Sequence, residues 1–372
     1  MRVAVVAAFE GGSRYAHAIN TVKMAQGFAR LGHEVTFVCC RGRRGNGSTR
    51  ALARTYGLAV PLRWVQLPCR LAGGTGGRQL RFALLALPAV LARRPQLVYA
   101  RNLSLPTLTV RLGVLTVVES HAYVAGPDRS MERLVKASRH EAFRAMITIS
   151  RKLAECYTSL GVPRRKLFVL PTGMDVHMFT PPRELPPSPY GGQAPVAAYV
   201  GHLYDYKGIP TILAAAALMP EVHFHLIGGW PQDVRAQQRR IEQRELRNVT
   251  LHGWKAQREL PPFLWHADVL LLPPCAGHPS AQWTSPVKLG EYLASGTPTV
   301  AAAIPALRQW LTGEHVEFVE PDNPSALAQG IRRVLCDPAR ASALRQAAQE
   351  LARQRSYEHR AEAVLRAANL LP

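Results

Sequence analysis

Acidic residues are scarce in the first half of this chain. Residues 1–180 hold 8 Asp or Glu against 27 Lys or Arg, whereas residues 181–372 hold 17 against 19. A half so poor in acids attracts nucleic acid, anionic lipid headgroups or an anionic substrate; the plain alternative is an Arg-rich surface without a partner. Long apolar runs are missing too. The longest, FALLALPAVLA at 82–92, contains a proline and is far short of the ~20 residues a bilayer span needs. The apolar start, residues 1–8, is ended by Glu10 too early for a signal peptide, so it reads as a buried first strand. Cysteine is sparse. Cys39, Cys40, Cys69, Cys156, Cys275 and Cys336 include no C-x-x-C pair, which speaks against a zinc site or a disulfide framework and suits a reducing cytosol.

Several chemical signatures are also absent. No G-x-G-x-x-G follows the first strand; FEGGSR offers only the pair Gly11-Gly12, which argues against a dinucleotide cofactor. There is no D-x-D, no His/Cys/carboxylate spacing for a metal, and no G-x-S-x-G, Walker A or H-E-x-x-H sequence. No metal and no cofactor is expected. Phosphate charge, if the chain meets any, must be balanced by side chains and helix dipoles.

What is present is a core. Apolar residues make up 47% of the chain, and 372 residues favour two domains over one. Strand candidates at 2–8, 33–40, 64–68, 96–100, 115–120 and 145–150 alternate with helical stretches, the first of them 13–32. The stretch PPRELPPSPYGGQAP, 181–195, is dense in Pro and Gly and marks a boundary. Alternation then restarts, with strand candidates at 194–201, 222–229, 249–253, 268–274, 298–303 and 316–321. The tail, 337–371, reads as helix broken near Ser356. The expected architecture is α/β: two tandem Rossmann-like, doubly wound domains facing a cleft, with boundaries 1–180 and 181–355.

Two helix entries carry candidate chemistry. At YVGHLYDYKG, Lys207 and Gly208 stand where a loop enters a helix, whose N-terminal dipole favours a phosphate; an ordinary solvated lysine fits the pattern equally. At TSPVKLGEYLASG, Ser285 reads as the N-cap and Pro286 as the first helical residue. Lys288 and Glu291 share a face there. They form either a surface ion pair or a seat in which Lys288 meets phosphate and Glu291 accepts from a ribose diol. In the first half, His121 ends the apolar strand in Glu119-Ser120-His121, while His223 and His225 read as structural.

The ordered succession of these segments resembles family 4 of the retaining GT-B glycosyltransferases, which pass a sugar from a nucleotide donor to an acceptor. GGSRYAHAINTVKMAQGFARLGHEVTFV looks like that family's glycine loop, first helix and second strand; VYAR, ESH and PTGMDVHMF are similar to later landmarks of its acceptor domain and hinge. YVGHLYDYKG, HLIGG, VTLHGW, ADVLLLP and SPVKLGEYLASGTPTVA resemble its donor-domain series. The resemblance implies a GT-B fold in which helix 356–372 packs back on the first domain. It implies that Lys207 binds the donor diphosphate and Glu291 the ribose. Gly201, His202, Gly228, Lys288 and the amides of Ser285, Pro286 and Val287 would surround the phosphates, with Gly11 and Gly12 approaching from the other domain. His121 would sit near the reacting sugar and Trp254 near the base. Catalytic roles fall to His121, Lys207 and Glu291.

The implied partners are a nucleoside-diphosphate sugar, a glycan or lipid-linked acceptor and an anionic membrane surface at the cytosolic face, with no nucleic acid. Three positions depart from the family pattern. Trp283 occupies the place of the first acid in Glu-x7-Glu, as in a subgroup with Ser-Pro-x-Lys in this turn; His202 replaces an arginine; Thr172 replaces an asparagine. The rival readings are another GT-B sugar-nucleotide enzyme such as an epimerase, and a catalytically silent sugar-nucleotide-binding scaffold.

Overall fold

The structure is a computed structural model that describes residues 1–42, 47–69, 75–121, 129–192 and 195–371, with 75–78 described by backbone alone. It divides into two compact units, residues 1–173 with 355–372, and residues 174–354. The second unit starts earlier than the expected 181. The reason is packing: Met174 and Phe179 are buried in the second unit's core, so the apolar residues before the proline-rich stretch already belong to it, as does Tyr190 within it.

The first unit is a parallel sheet of seven strands: β1 (Arg2–Glu10), β2 (Glu34–Cys40), β3 (Arg63–Leu67), β4 (Leu97–Ala100), β5 (Thr116–Ser120), β6 (Phe143–Thr148) and β7 (Leu167–Val169). Their order is β3-β2-β1-β4-β5-β6-β7. β1 lies between β2 and β4, with Val3 opposite Val35 on one side and Leu97 on the other. Both its faces are covered, so it reads as a continuous apolar run. Val3 and Val5 pack with Phe28 of the first helix (Ala16–Arg30) and Val364 of the C-terminal helix (Tyr357–Ala367), while Ala4 and Val6 pack with Phe82 and Val90 of the helix Thr75–Leu91. The chain reversal between β1 and β4 is the switch point at which such sheets bind ligands.

The C-terminal helix is anchored by its start. Ser356 caps it, accepting from the His359 amide at 3.2 Å, and Tyr357 donates to Asn20 Oδ1 of the first helix at 3.0 Å. A Cβ on Gly27 would run into the Tyr357 backbone carbonyl, so the two helices meet closely there.

Two expectations are corrected in this unit. The sequence showed no sign of β7, three residues long, after the basic run Arg164-Arg165-Lys166. Cys40 and Cys69 form a disulfide with Cα atoms 5.5 Å apart. Their spacing of 29 residues hid it, because only the pairing of β2 with β3 brings their ends together. Cysteine usage therefore carries no argument for a reducing compartment.

The second unit is a parallel sheet of six strands: β8 (Val196–Val200), β9 (His223–Ile227), β10 (Val249–Gly253), β11 (Val269–Leu272), β12 (Thr299–Ala302) and β13 (Glu317–Val319), ordered β10-β9-β8-β11-β12-β13. All six fall inside the expected segments. The reversal lies between β8 and β11, and both helix entries singled out in the sequence open at the carboxyl-terminal side of these strands. No described helix is long and apolar enough to cross a membrane.

Candidate functional site

The site in the second unit begins where β8 ends. Gly201 has φ +145° and donates its N–H to the Ile227 carbonyl at 2.8 Å. A Cβ there would collide with the Lys288 ammonium, and one on Gly228, at φ +121°, would collide with the Gly201 carbonyl. Glycine is required at both places for the strand ends and Lys288 to converge.

Beyond Gly201 the chain lays down a stack of rings. His202 stacks on Tyr204 with centroids 5.0 Å apart, Tyr204 on Tyr206 at 5.5 Å, and Tyr206 on His278 at 4.2 Å. Trp230 closes the other end against His202 and donates its indole N–H to Tyr204 Oη at 3.2 Å. The stack stiffens the turn Asp205–Lys207, and Arg240 grips Asp205 through Nη1 at 2.5 Å and Nη2 at 3.0 Å. Gly208 then opens the helix Ile209–Ala217. Lys207 is thereby held half-buried, with Nζ 4.7 Å from the Tyr206 ring centre, and burial lowers its pKa.

The other entry is the helix Val287–Ser295. Pro286, not Ser285, occupies the cap position; it adopts an extended conformation and has no side chain to cap with, and no acid lies in the first turn. Lys288 places Nζ 3.7 Å from the Tyr199 ring centre. Burial pushes its pKa well below the lysine range, Lys207 pushes it further, and Glu291 opposes both. His202 is lowered by burial and then by Lys288 and Lys207. Glu291 is buried and accepts from Gln257 Nε2 at 2.5 Å, so the solvated surface ion pair is not what this turn contains. Tyr292, one position on, accepts from the Val200 amide at 2.7 Å and pins the helix to the end of β8.

Gly201, His202, Lys207, Gly228, Lys288 and Glu291 are thus brought into one neighbourhood. Ser285 and Val287 flank its entry, half-buried, and Trp254 follows β10 with 40% of its surface exposed. Gln257 was missed; its only signal is its place just after the HGW segment. Among the described residues no group of three or more His, Cys, Asp or Glu side chains is placed to hold a metal.

The first unit has its own polar centre, at the carboxyl ends of β4 and β5. Glu119 is fully buried; its Oε1 accepts from Arg101 Nη1 at 2.9 Å and lies 2.5 Å from His121 Nε2, and its Oε2 accepts from Arg360 Nη1 at 2.8 Å. Burial pushes the Glu119 carboxyl up, but Arg360 and His121 outweigh it and leave it at about 2. His121 is lowered to about 4 by burial and by Arg101, against the pull of Glu119. Gly11 and Gly12 follow β1, where Gly11 donates to the Cys40 carbonyl at 2.9 Å and Gly12 has φ +84°.

The comparisons fall on the same two halves. Residues 18–178 match the family model "Glycosyltransferase Family 4", and residues 194–337 match "Glycosyl transferases group 1". Each half of the chain thus matches a glycosyltransferase model, the first of them that of family 4. A putative colanic acid biosynthesis glycosyltransferase, WcaL of Escherichia coli K12, is 30% identical over 193 residues, covering 50% of this chain and 46% of that protein. The chain spans about half the length of the curated relatives it matches. Sucrose-phosphate synthase from Thermosynechococcus elongatus superimposes with a TM-score of 0.74 at 18% identity over 98% of this chain and 97% of the other. Anabaena HepE, solved with UDP and glucose, gives 0.73 at 16% identity over all of both chains. These structures share the fold, GT-B, with its two Rossmann-like domains.

One more pair of histidines sits inside the second sheet. His225 Nδ1 and His252 Nε2 are 2.9 Å apart, and His225 Nε2 has no hydrogen-bond partner among the described residues. Burial, then His252 and His223, lower His225 to about 4. His121 and His225 both have folded values below their ordinary 6.5, so the unfolded chain takes up protons first as pH falls. Their stabilising contribution is complete above pH 6.5 and is lost on acidification toward pH 4. Urea midpoints should fall steadily over that window, and a midpoint that holds constant there contradicts the buried neutral state of both imidazoles.

Proposed function

We propose that this chain transfers a sugar from a nucleoside-diphosphate sugar to a glycan or lipid-linked acceptor, with retention at the anomeric carbon, in the synthesis of a cell-surface polysaccharide or glycoconjugate. The observation that carries the reading is the seat built from Lys207, Lys288 and the first turn of the helix Val287–Ser295, next to a buried carboxylate. Two half-buried ammonium groups with lowered pKa values favour a dianionic ligand, which would raise both values on binding. The helix's first-turn amides, with no acid in that turn, add to the attraction. Glu291 accepts from the ribose hydroxyls, Gln257 holds it, and Trp254 offers an exposed face to the base. HepE, of the same fold, was solved with UDP-glucose, which supports a nucleotide-sugar donor; WcaL supports a polysaccharide setting.

The difficult step is departure of the sugar. The bond from the anomeric carbon to the phosphate oxygen breaks, and negative charge grows on the diphosphate. Lys207, Lys288 and the amides around Ser285, Pro286 and Val287 stabilise that charge. The acceptor oxygen bonds to the same face of the carbon, and its proton passes to the leaving phosphate. No resident metal is needed, because lysines and helix amides meet the charge. His121 orients the reacting sugar. Lys207→Ala and Glu291→Ala should each lower transfer about tenfold or more while leaving the unfolding transition in place. Unchanged turnover in both variants would defeat the assignment, and tight nucleotide binding with neither transfer nor donor hydrolysis would favour a silent binding protein.

The acceptor half is the basic half, and the protein works at the cytosolic face of a membrane. Support comes from the helix Thr75–Leu91, which exposes Leu84 (55%) and Leu85 (45%) beside the exposed Arg81. Apolar side chains flanked by cations suit an anionic bilayer surface. The full chain should pellet with anionic vesicles at low salt and be released at high salt; absent or salt-insensitive binding counts against membrane attachment.

A further inference from the structure

The C-terminal helix delivers one side chain into the polar centre of the first unit. Arg360 is 5% exposed and uses its whole guanidinium: Nη1 donates to Glu119 Oε2 at 2.8 Å and to Tyr99 Oη at 3.2 Å, Nε to the Pro171 carbonyl at 2.6 Å, and Nη2 to the Leu170 carbonyl at 3.3 Å. Tyr357, on the same helix, donates to Asn20 Oδ1 at 3.0 Å, and Asn20 Nδ2 donates to Glu119 Oε1 at 3.4 Å. Both contacts converge on one carboxylate, and that carboxylate faces His121.

We propose that Arg360 is a positioning residue for His121: it fixes the Glu119 carboxylate, and the carboxylate fixes which imidazole nitrogen carries the proton and where the ring points. The inference rests on the reading of His121 as the group beside the reacting sugar.

His121 Nε2 lies 2.5 Å from Glu119 Oε1 and 3.0 Å from Arg101 Nη1. An arginine N–H only donates, and it has the carboxylate oxygen at 2.9 Å to donate to. Nε2 therefore holds the proton and gives it to Glu119, which leaves Nδ1 as the acceptor of the ring. The charged and titratable groups around this centre, among the described residues, are His17 on the first helix, Tyr99 on β4, Arg101 after it, Glu119 on β5, and Tyr357 and Arg360 on the C-terminal helix. Two guanidinium groups face one carboxylate, so a proton added to His121 would bring a second net positive charge into a buried cluster. Burial and then Arg101 do most to keep the ring neutral, and Arg360 adds to them while it holds the carboxylate in place. Without it, Glu119 would balance Arg101 alone, and a protonated ring would be tolerated.

The test is 15N NMR of the histidine side chains in the full chain, with no substrate present. Wild-type His121 should show the Nε2–H tautomer and remain neutral down to about pH 5. In Arg360→Gln its titration midpoint should rise by about one unit or more, and in Arg360→Lys it should stay near the wild-type value. Glu119→Gln should lose the fixed tautomer, since a carboxamide presents either an oxygen or an N–H. A folded Arg360→Gln with the wild-type midpoint and tautomer overturns the proposal. Should that variant not fold, a Glu119→Gln protein that keeps the wild-type tautomer overturns it equally. Transfer kinetics form the second readout: kcat in Arg360→Gln should fall about tenfold with the donor KM within about twofold, a split that a general loss of structure would not produce. The NMR result stands without any donor, so expected spectra combined with no transfer to any acceptor would sink the proposed function and leave the positioning role intact.

Discussion

Lys207 and Lys288 repel each other at the carboxyl end of the second sheet, and much of that unit is arranged to hold them there. Each is lowered by burial, and Lys288 is lowered again by Lys207. Left to themselves, two such chains would swing into water. The Tyr199 ring under one ammonium and the Tyr206 ring under the other give each a partner that costs no counter-charge. Gly201 surrenders its Cβ so that Lys288 can lie across it, and the Asp205–Arg240 pair clamps the turn that carries Lys207. Glu291, the carboxylate that acts on Lys288, is engaged by Gln257. An anion with two or more charges would complete this arrangement, and a diphosphate is the ligand class proposed.

The first unit solves the opposite problem. There a lone carboxylate, Glu119, lies fully buried, and two arginines and a histidine close around it. A buried charge is tolerated when its lone pairs are met and its charge is paired. One of the partners comes from the far end of the chain, 241 residues away. The C-terminal helix is therefore part of the first unit's polar centre as well as part of its apolar core, where Val364 and Leu365 pack beside Phe28.

What the sequence made legible follows from how local each signal is. Of the thirteen strands among the described residues, twelve stand out because buried parallel strands are continuous apolar runs bounded by turn residues. The exception, β7, has three residues and no such contrast. Lys207 and Lys288 were visible because each sits where a loop enters a helix. Whether Lys288 and Glu291 form a surface pair depended on burial, which spacing does not encode. Ser285 read as a cap because the cap preference is a tendency of residue type, while the chain starts its helix one residue later. Arg360 and the Cys40–Cys69 disulfide had no local signal at all, and Gln257 only its place after the HGW segment, since each is defined by a partner brought close only by the folded chain.

A structure of the full chain with UDP or GDP decides whether the diphosphate of a sugar nucleotide sits on Lys207 and Lys288. Phosphate oxygens should lie within hydrogen-bonding distance of both ammonium groups and of the first amides of the helix Val287–Ser295, with the ribose on Glu291. A nucleotide bound elsewhere, with both lysines untouched, would contradict that placement.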